Sequence, residues 1–303
     1  MARVAVTGAS GFIGQHLVAA LESRGDSVIR VARPFLRGTL APTFAQTDAV
    51  VHLAGVVSAA REQDYFDANE AGTRTVGEAA RDAKVRMIYV SSLAAAGPAA
   101  PDAPRGEDDP ESPINAYGRS KLAGERALKA TDGLRWTILR PGVVYGPGDR
   151  ALLPLFRLSR RGFLPLVGRP SAAYTFIHVA DVVRAIAAAI DCDVTGETIF
   201  LGHRNPVATR ALLESIRTAT GGRAAILPIP QPLLRVVAWG GDVAGAISGR
   251  RALINSRRYV ELYADGFVCR VDRLRDRLHA EAQVALGEGL TQTARWYESQ
   301  RWV

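Results

Sequence analysis

Short apolar runs alternate with amphipathic stretches through the first half of the chain. Arg3–Thr7, with Val4, Ala5 and Val6 in succession, predicts a buried strand. From Gly14 to Arg24, Leu17, Val18 and Leu21 fall on one face of a helix. Strands are predicted next at Ser27–Ala32 and Ala49–Leu53, a helix at Asn69–Ala83, and a strand at Met87–Ser91. A helix at Ala116–Lys129 and a strand at Arg135–Leu139 follow. Strand–helix alternation of this kind predicts an α/β fold with a Rossmann-type, doubly wound parallel sheet.

The second half is less regular. Ala99–Pro113 carries four prolines and a cluster of acids and reads as loop. Ala180–Ile190 predicts a helix, and Thr198–Leu201 one more strand of the main sheet. Residues from Pro206 to Val303 read as mostly helical with Gly/Pro breaks, a second lobe over a cleft. Pro228–Ile247 opens with prolines and continues as an apolar helix, which fits a lobe core, a wall over a substrate, or a lipid-facing surface. There are no internal repeats.

Composition narrows the class. At 303 residues, with 48% hydrophobic and 22% charged residues, the chain has globular values and room for one large domain with a smaller partner lobe. No apolar run reaches the roughly 18 residues of a membrane-spanning helix, and the start lacks the pattern of a signal peptide, so stable membrane insertion is not expected and the cytoplasm is the simplest location. Cys192 and Cys269 match no metal-ligand spacing and read as ordinary reduced thiols; no metal is expected. The net charge of +8 is almost all arginine, since lysine occurs only as Lys84, Lys121 and Lys129. The arginines are scattered rather than gathered into a nucleic-acid motif, so anionic small molecules are the expected partners.

Gly8, Gly11 and Gly14 stand directly between the first strand and the first helix, in Thr7-Gly8-Ala9-Ser10-Gly11-Phe12-Ile13-Gly14. Gly8 permits the tight turn, Gly11 lets backbone approach a pyrophosphate, and Gly14 lets the helix pack close to the sheet. The amides around Ser10, Phe12 and Ile13 then meet the phosphates at the positive end of the helix. The second strand ends in Arg33 with no acid for a ribose 2′-hydroxyl, so a 2′-phosphate is the better partner: NADP(H) is preferred, with NAD(H) open. The predicted division gives residues 1–148 and 176–205 to the dinucleotide domain, and 149–175 and 206–303 to a substrate-binding lobe.

Tyr117 and Lys121 lie at i and i+4 on a helix, hence on one face. A neighbouring ammonium stabilises a phenolate, so Tyr117 could exchange a proton with a carbonyl or alcohol oxygen. Ser92, at the end of a strand, would hold that oxygen.

Together these residues resemble the extended short-chain dehydrogenase/reductase family, in its epimerase/dehydratase-like branch. Val51-His52-Leu53-Ala54-Gly55 looks like the segment passing under the cofactor, which implies contacts from Leu53, Ala54 and Gly55. Asn69-Glu70-Ala71-Gly72-Thr73 resembles a motif whose Asn69 touches the cofactor side. Tyr89-Val90-Ser91-Ser92 resembles the strand of the catalytic serine; aligned on Gly97, that serine is Ser92. The resemblance gives Tyr117 the acid/base role and has Lys121 also bind the nicotinamide ribose. Pro141, Gly142 and Val143 resemble the loop beside the nicotinamide, and His178 a structural position in Phe176-Ile177-His178. It implies a homodimer through the helices after the family's fourth and fifth strands.

Two departures qualify the match. Between Arg33 and Asp48 there is no room for the usual third strand and helix, and Pro34–Gln46 holds no convincing strand, which predicts a truncated sheet edge and a more open adenine pocket. Ala173-Tyr174 and Gly142-Val143 stand where nucleotide-sugar members carry Arg and Phe-Asn. The leading expectation is an NAD(P)-dependent carbonyl reductase or alcohol dehydrogenase acting on a bulky ketone or alcohol. The alternatives are a nucleotide-sugar epimerase, dehydratase or 4-reductase, and a non-catalytic NADP-binding regulator.

Overall fold

The structure is a computed structural model of the chain and describes residues 1–169, 172–236, 239 and 263–303. β1 (Arg3–Thr7) leads to α1 (Phe12–Ser23), β2 (Ser27–Val31) to α2 (Arg37–Phe44), and β3 (Ala49–His52) to α3 (Glu62–Phe66). A π turn at Asp67–Ala71 carries α3 on into α4 (Gly72–Asp82). β4 (Arg86–Val90) ends in a 3₁₀ turn, Leu93–Ala95, and a long loop leads to α5 (Ala116–Lys129). Then come β5 (Trp136–Pro141), β6 (Val143–Tyr145), α6 (Leu153–Arg160), β7 (Phe163–Leu166), β8 (Ala173–Tyr174), β9 (Phe176–His178), α7 (Val179–Asp191) and β10 (Glu197–Leu201). β11 (Val207–Ala208), α8 (Thr209–Ala219), β12 (Ala225–Pro228), β13 (Gly266–Phe267) and the helices Asp272–Leu278 and Leu286–Ser299 complete the described chain.

β10, β5, β4, β3, β1 and β2 form one six-stranded sheet in that order, and every pairing is parallel. Period-two alternation divides β1 between the sheet's two faces. Val4 and Val6 pack with Leu17, Val18 and Leu21 of α1 and Val182 and Ile186 of α7. Ala5 packs with Leu40 and Phe44 of α2, Val76 and Ala79 of α4, and Leu128 of α5. With helices over both faces, the strands can be apolar throughout. The fold is the doubly wound α/β sheet that the alternation predicts.

The truncated edge is as expected. No strand lies between β2 and β3, and β2 is the outermost strand. The connecting segment forms α2 instead, with Pro42 inside it and Leu40 and Phe44 buried. The helix expected at Asn69–Ala83 begins earlier, at Glu62. Its π turn interrupts the 3.6-residue period, which is why the apolar pattern identifies only the later part.

The Ala99–Pro113 loop is irregular but not loose. It is laid along the segment around β13 by two isolated parallel bridges, Ala99 with Phe267 and Arg105 with Cys269. A second core gathers Tyr145, Phe156, Leu164, Phe176, Leu213, Ile216, Leu290 and Tyr297. The mostly helical reading of this region holds for α8 and the last two helices but misses β11, β12 and β13, which are two to four residues long and too short to show a period. Of the apolar Pro228–Ile247 stretch, residues 231–236 are helical; 237, 238 and 240–247 lie outside the described residues.

Candidate active site

The glycine loop follows β1 and turns back on itself. Gly8 has φ 69°, and a Cβ there would stand 2.7 Å from the Ala54 amide nitrogen. A Cβ on Gly14 would stand 2.1 Å from the Gly8 carbonyl oxygen, so Gly14 admits the turn's own backbone rather than the sheet expected from the sequence. Gly11 donates to the Gly8 carbonyl at 2.9 Å and caps α1 without a side chain. No acid sits in the first turn of α1, and Ser10 and Gly11 are exposed. The first-turn amides of Phe12, Ile13 and Gly14 have no intrahelical partner and form an anion cradle that fits a pyrophosphate.

A buried histidine braces the loop from below. The His52 Nδ1 lies 2.7 Å from Thr7 Oγ1, and its Nε2 lies 3.1 Å from Thr73 Oγ1. Burial, with the positive charges of Lys121 and Arg33 adding to it, pushes the imidazole down to about 3, so it is neutral at physiological pH. Beyond it, Leu53, Ala54 and Gly55 run beneath the cradle. A side chain at Gly55 would meet Asn69 Oδ1 at 2.9 Å and lie 3.7 Å from Lys121 Nζ.

Asn69 is fully buried in the π turn. Its Oδ1 accepts from the Val56 amide at 2.8 Å, and its Nδ2 donates to the Val56 carbonyl and to Ser120 Oγ, each at 2.9 Å. The amide is thus spent on gripping the loop after Gly55 and on tying it to α5. Asn69 thereby positions the loop after Gly55.

α5 carries the two residues read as an acid–base pair. Asn115 caps it, its Oδ1 accepting from the Gly118 amide at 2.6 Å. A Cβ on Gly118 would stand 2.3 Å from the Ala94 carbonyl oxygen, so the first turn of α5 lies directly on the 3₁₀ turn after Ser92. This approach brings the Tyr117 hydroxyl close to Ser92. Burial raises the Tyr117 pKa above its ordinary value, and the neighbouring Ser92 opposes that shift. Lys121, one turn on, donates from Nζ to the Val90 carbonyl at 2.8 Å and lies 4.3 Å over the Tyr89 ring. Burial lowers its ammonium to about 7, partly offset by Glu125. Ser92, Tyr117 and Lys121 therefore meet at the end of β4.

Beneath this group lies an ionic network that the sequence reading did not single out. Glu125 is wholly buried and takes Arg140 through both carboxylate oxygens, with Ser91 Oγ donating to it at 2.5 Å. Arg140 also reaches Glu111 at 3.1 Å. The spacing Tyr117, Lys121, Glu125 at successive i+4 steps was the available signal.

The remaining expected residues lie around the same end of the sheet. Gly142 donates to the Leu201 carbonyl and Val143 to that of Thr175, which fixes Pro141–Val143 between β10 and the turn before β9. Arg33 is exposed just beyond β2, its guanidinium 5.9 Å from the Phe35 ring centroid, and no carboxylate is paired with it among the described residues. His178 caps α7, accepting from Ala180, as a structural residue does. Among the described residues, no cluster of His, Cys, Asp or Glu could hold a metal, and both cysteines are unpaired.

Residues 4–202 match the NAD dependent epimerase/dehydratase family, and the chain belongs to that family. It is an NAD(P)-dependent enzyme of the extended short-chain dehydrogenase/reductase type. It is 28% identical to a ceramide reductase of Caulobacter vibrioides over 99% of this chain and 96% of that protein. It is 31% identical to a 4-hydroxy-2-methyl-3-oxo-4-farnesyl-3,4-dihydroquinoline-1-oxide ketoreductase of Stigmatella aurantiaca, over 79% of this chain and 80% of that one. Among solved structures, MoeE5 in complex with UDP-glucuronic acid and NAD superposes with a TM-score of 0.78 at 26% identity, covering 98% of this chain and 99% of that one.

Proposed function

We propose that the protein is an NADPH-dependent carbonyl reductase for a bulky, apolar ketone, working reversibly as an alcohol dehydrogenase. The observation that carries this reading is the closeness of Ser92 and Tyr117 beside an apolar wall. Leu93, Ala96 and Phe200 are buried together next to Ser92, with Phe267 and Val271 packed on them. Arg140, the nearby cation, is already held by Glu125 and Glu111. The two reductase relatives, named for ceramide and for a farnesylated ring, are similar in the kind of substrate their names describe.

In this reading residues 1–148 with 176–205 hold the dinucleotide, and 149–175 with 206–303 shape the substrate side. The cradle at Gly8, Ser10, Gly11, Phe12, Ile13 and Gly14 takes the pyrophosphate. Arg33 takes the 2′-phosphate, for which its exposed, unpaired guanidinium is suited. Leu53, Ala54, Gly55, Pro141, Gly142 and Val143 flank the nicotinamide half, and Asn69 holds that wall in place. The bound cofactor supplies or accepts a hydride. Ser92 orients the substrate oxygen by a hydrogen bond, and Tyr117 gives its phenolic proton to that oxygen in reduction or takes it back in oxidation. Lys121, protonated, stabilises the phenolate left behind. Preorganised donors at the developing alkoxide account for most of the acceleration. A homodimer goes with this reading and is tested by sedimentation velocity.

The test is a titration of NADPH and NADH into the purified protein, followed by nicotinamide fluorescence, with Arg33→Ala in parallel. The expected result is tighter NADPH binding and loss of that preference in the variant, then turnover of apolar ketones that Tyr117→Phe abolishes. Equal or tighter NADH binding overturns the cofactor assignment. A second reading, a nucleotide-sugar epimerase, is favoured by the likeness to MoeE5 with its UDP-glucuronic acid and NAD. NAD retained through purification would select it.

A further inference from the structure

The chain's net charge is not evenly spread. Residues 150–180 and 215–241 contain eight arginines and neither a lysine nor an acid. The whole chain has 38 basic and 30 acidic residues, so the rest of it carries 30 of each and is neutral. The excess charge belongs to two stretches that lie mostly in the second lobe.

The same stretches carry exposed apolar residues. β7 and β12 pair in parallel, with Phe163 opposite Ala225 and Pro165 opposite Leu227. Leu164 turns inward and is buried, while Phe163 and Leu227 are 39% and 48% exposed. Four residues after Leu227 the helical turn 231–236 begins, with Leu234 buried and Leu233 and Val236 exposed; Trp239 follows at 68% exposed. At 100° per residue, Leu233 and Val236 fall about 60° apart on one side of this turn, with Leu234 on the other. Five of the eight large, exposed hydrophobic side chains among the described residues lie on this ribbon and turn.

Two arginines frame the ribbon. Arg161 and Arg223 precede the register partners Phe163 and Ala225 by two residues each, so they stand at the same end of the two strands. Both are exposed, and no carboxylate is paired with either among the described residues.

We infer that this face docks on the surface of an anionic lipid bilayer. Arg160 and Arg169 of these stretches are paired with Glu298 and Asp265, but Arg161 and Arg223 beside the ribbon have no carboxylate partner among the described residues. Exposed Trp, Phe and Leu flanked by such arginines is the composition that enters the headgroup boundary, and anionic headgroups complement the charge. No described helix is long and apolar enough to cross a membrane, so the association is peripheral. The inference goes beyond the proposed reductase reading and does not depend on it.

The test is co-sedimentation of the full chain with vesicles of phosphatidylcholine alone or with about one third phosphatidylglycerol, at low and high salt. Two double variants, Leu233→Glu/Trp239→Glu and Arg161→Glu/Arg223→Glu, run alongside, with far-UV circular dichroism and thermal melts as folding controls. The expected result is sedimentation with anionic vesicles only, weakened by salt, with a blue shift of tryptophan emission. Each variant should lower partitioning roughly tenfold or more while melting like the wild type. Equal binding to neutral vesicles, no binding to either, or variants that bind like the wild type would overturn it. So would a dimer in sedimentation velocity that Leu233→Glu/Trp239→Glu alone converts to monomer, since the face would then belong to a second copy.

Discussion

Arg140 grips both carboxylate oxygens of Glu125, Nε at 2.9 Å from one and a terminal nitrogen at 2.6 Å from the other, where neither side chain meets solvent. Glu125 lies one turn beyond Lys121, and Ser91, which it also accepts from, precedes Ser92. The pair thus ties α5 to β4 and β5 directly behind the reacting groups.

Removing one member strands a buried charge. Glu125→Gln or Arg140→Met is expected to cost about 3–5 kcal/mol of stability. The double variant Glu125→Leu/Arg140→Met should recover most of that loss. Urea denaturation of the four proteins checks this; a double variant as unstable as the sum of the singles would refute it.

Tyr117→Phe removes the proton and leaves the ring. Turnover of a ketone substrate should fall by roughly two to four orders of magnitude with cofactor affinity unchanged. Single-turnover kinetics beside a fluorescence titration separates the two. A variant retaining most of its rate would deny Tyr117 the acid/base role.

Lys121 has a signature in stability against pH. Its folded pKa of about 7 lies below the ordinary 10.5 of an unfolded lysine, so the unfolded chain binds the extra proton between those values. Stability should therefore rise from about pH 7 to about pH 10.5, by a few kcal/mol, relative to Lys121→Met. Parallel denaturation midpoints for the two proteins across that range would count against a desolvated ammonium.

His52 acts at the other end of the scale. Its pKa falls from 6.5 to about 3 on folding, so its contribution is present above pH 6.5 and is lost as the pH drops toward 3. Between pH 6.5 and pH 5 the loss should be roughly 2 kcal/mol, absent in His52→Gln. Chemical denaturation at the two pH values reads it.

Gly14→Ala places a methyl where the Gly8 carbonyl oxygen stands. The turn must open, and dinucleotide affinity is expected to fall at least roughly tenfold while far-UV circular dichroism stays native. Calorimetry with the cofactor measures it, and an unchanged affinity would mean that the cradle is not the phosphate site.

The sheet and the meeting of Ser92 with Tyr117 were legible because both rest on local patterns: period-two strands, a glycine loop between strand and helix, an i,i+4 pair. The shortened edge was legible as a missing strand, though α2 was not, because Pro42 and a nearly even spread of polar residues hide its period. Glu125 and His52 escaped for a different reason. Their roles depend on partners at Arg140 and Thr73, distant in sequence, and a single buried charge looks like a surface one until its partner is placed. The role of Gly14 shifted by one layer, since a motif names the residue but not which neighbour its backbone must admit.

The position of β2 as outermost strand has a consequence for the protein's behaviour in a crowded solution. Its free side is a row of backbone groups that a strand from another molecule could adopt, the usual start of aggregation. Arg30 projects from that strand in an ion pair with Glu22, and Arg33 and Pro34 follow just past its end. An intruding strand would have to strip water from two guanidinium groups, and its pairing could not run on past Pro34, which has no amide hydrogen to give.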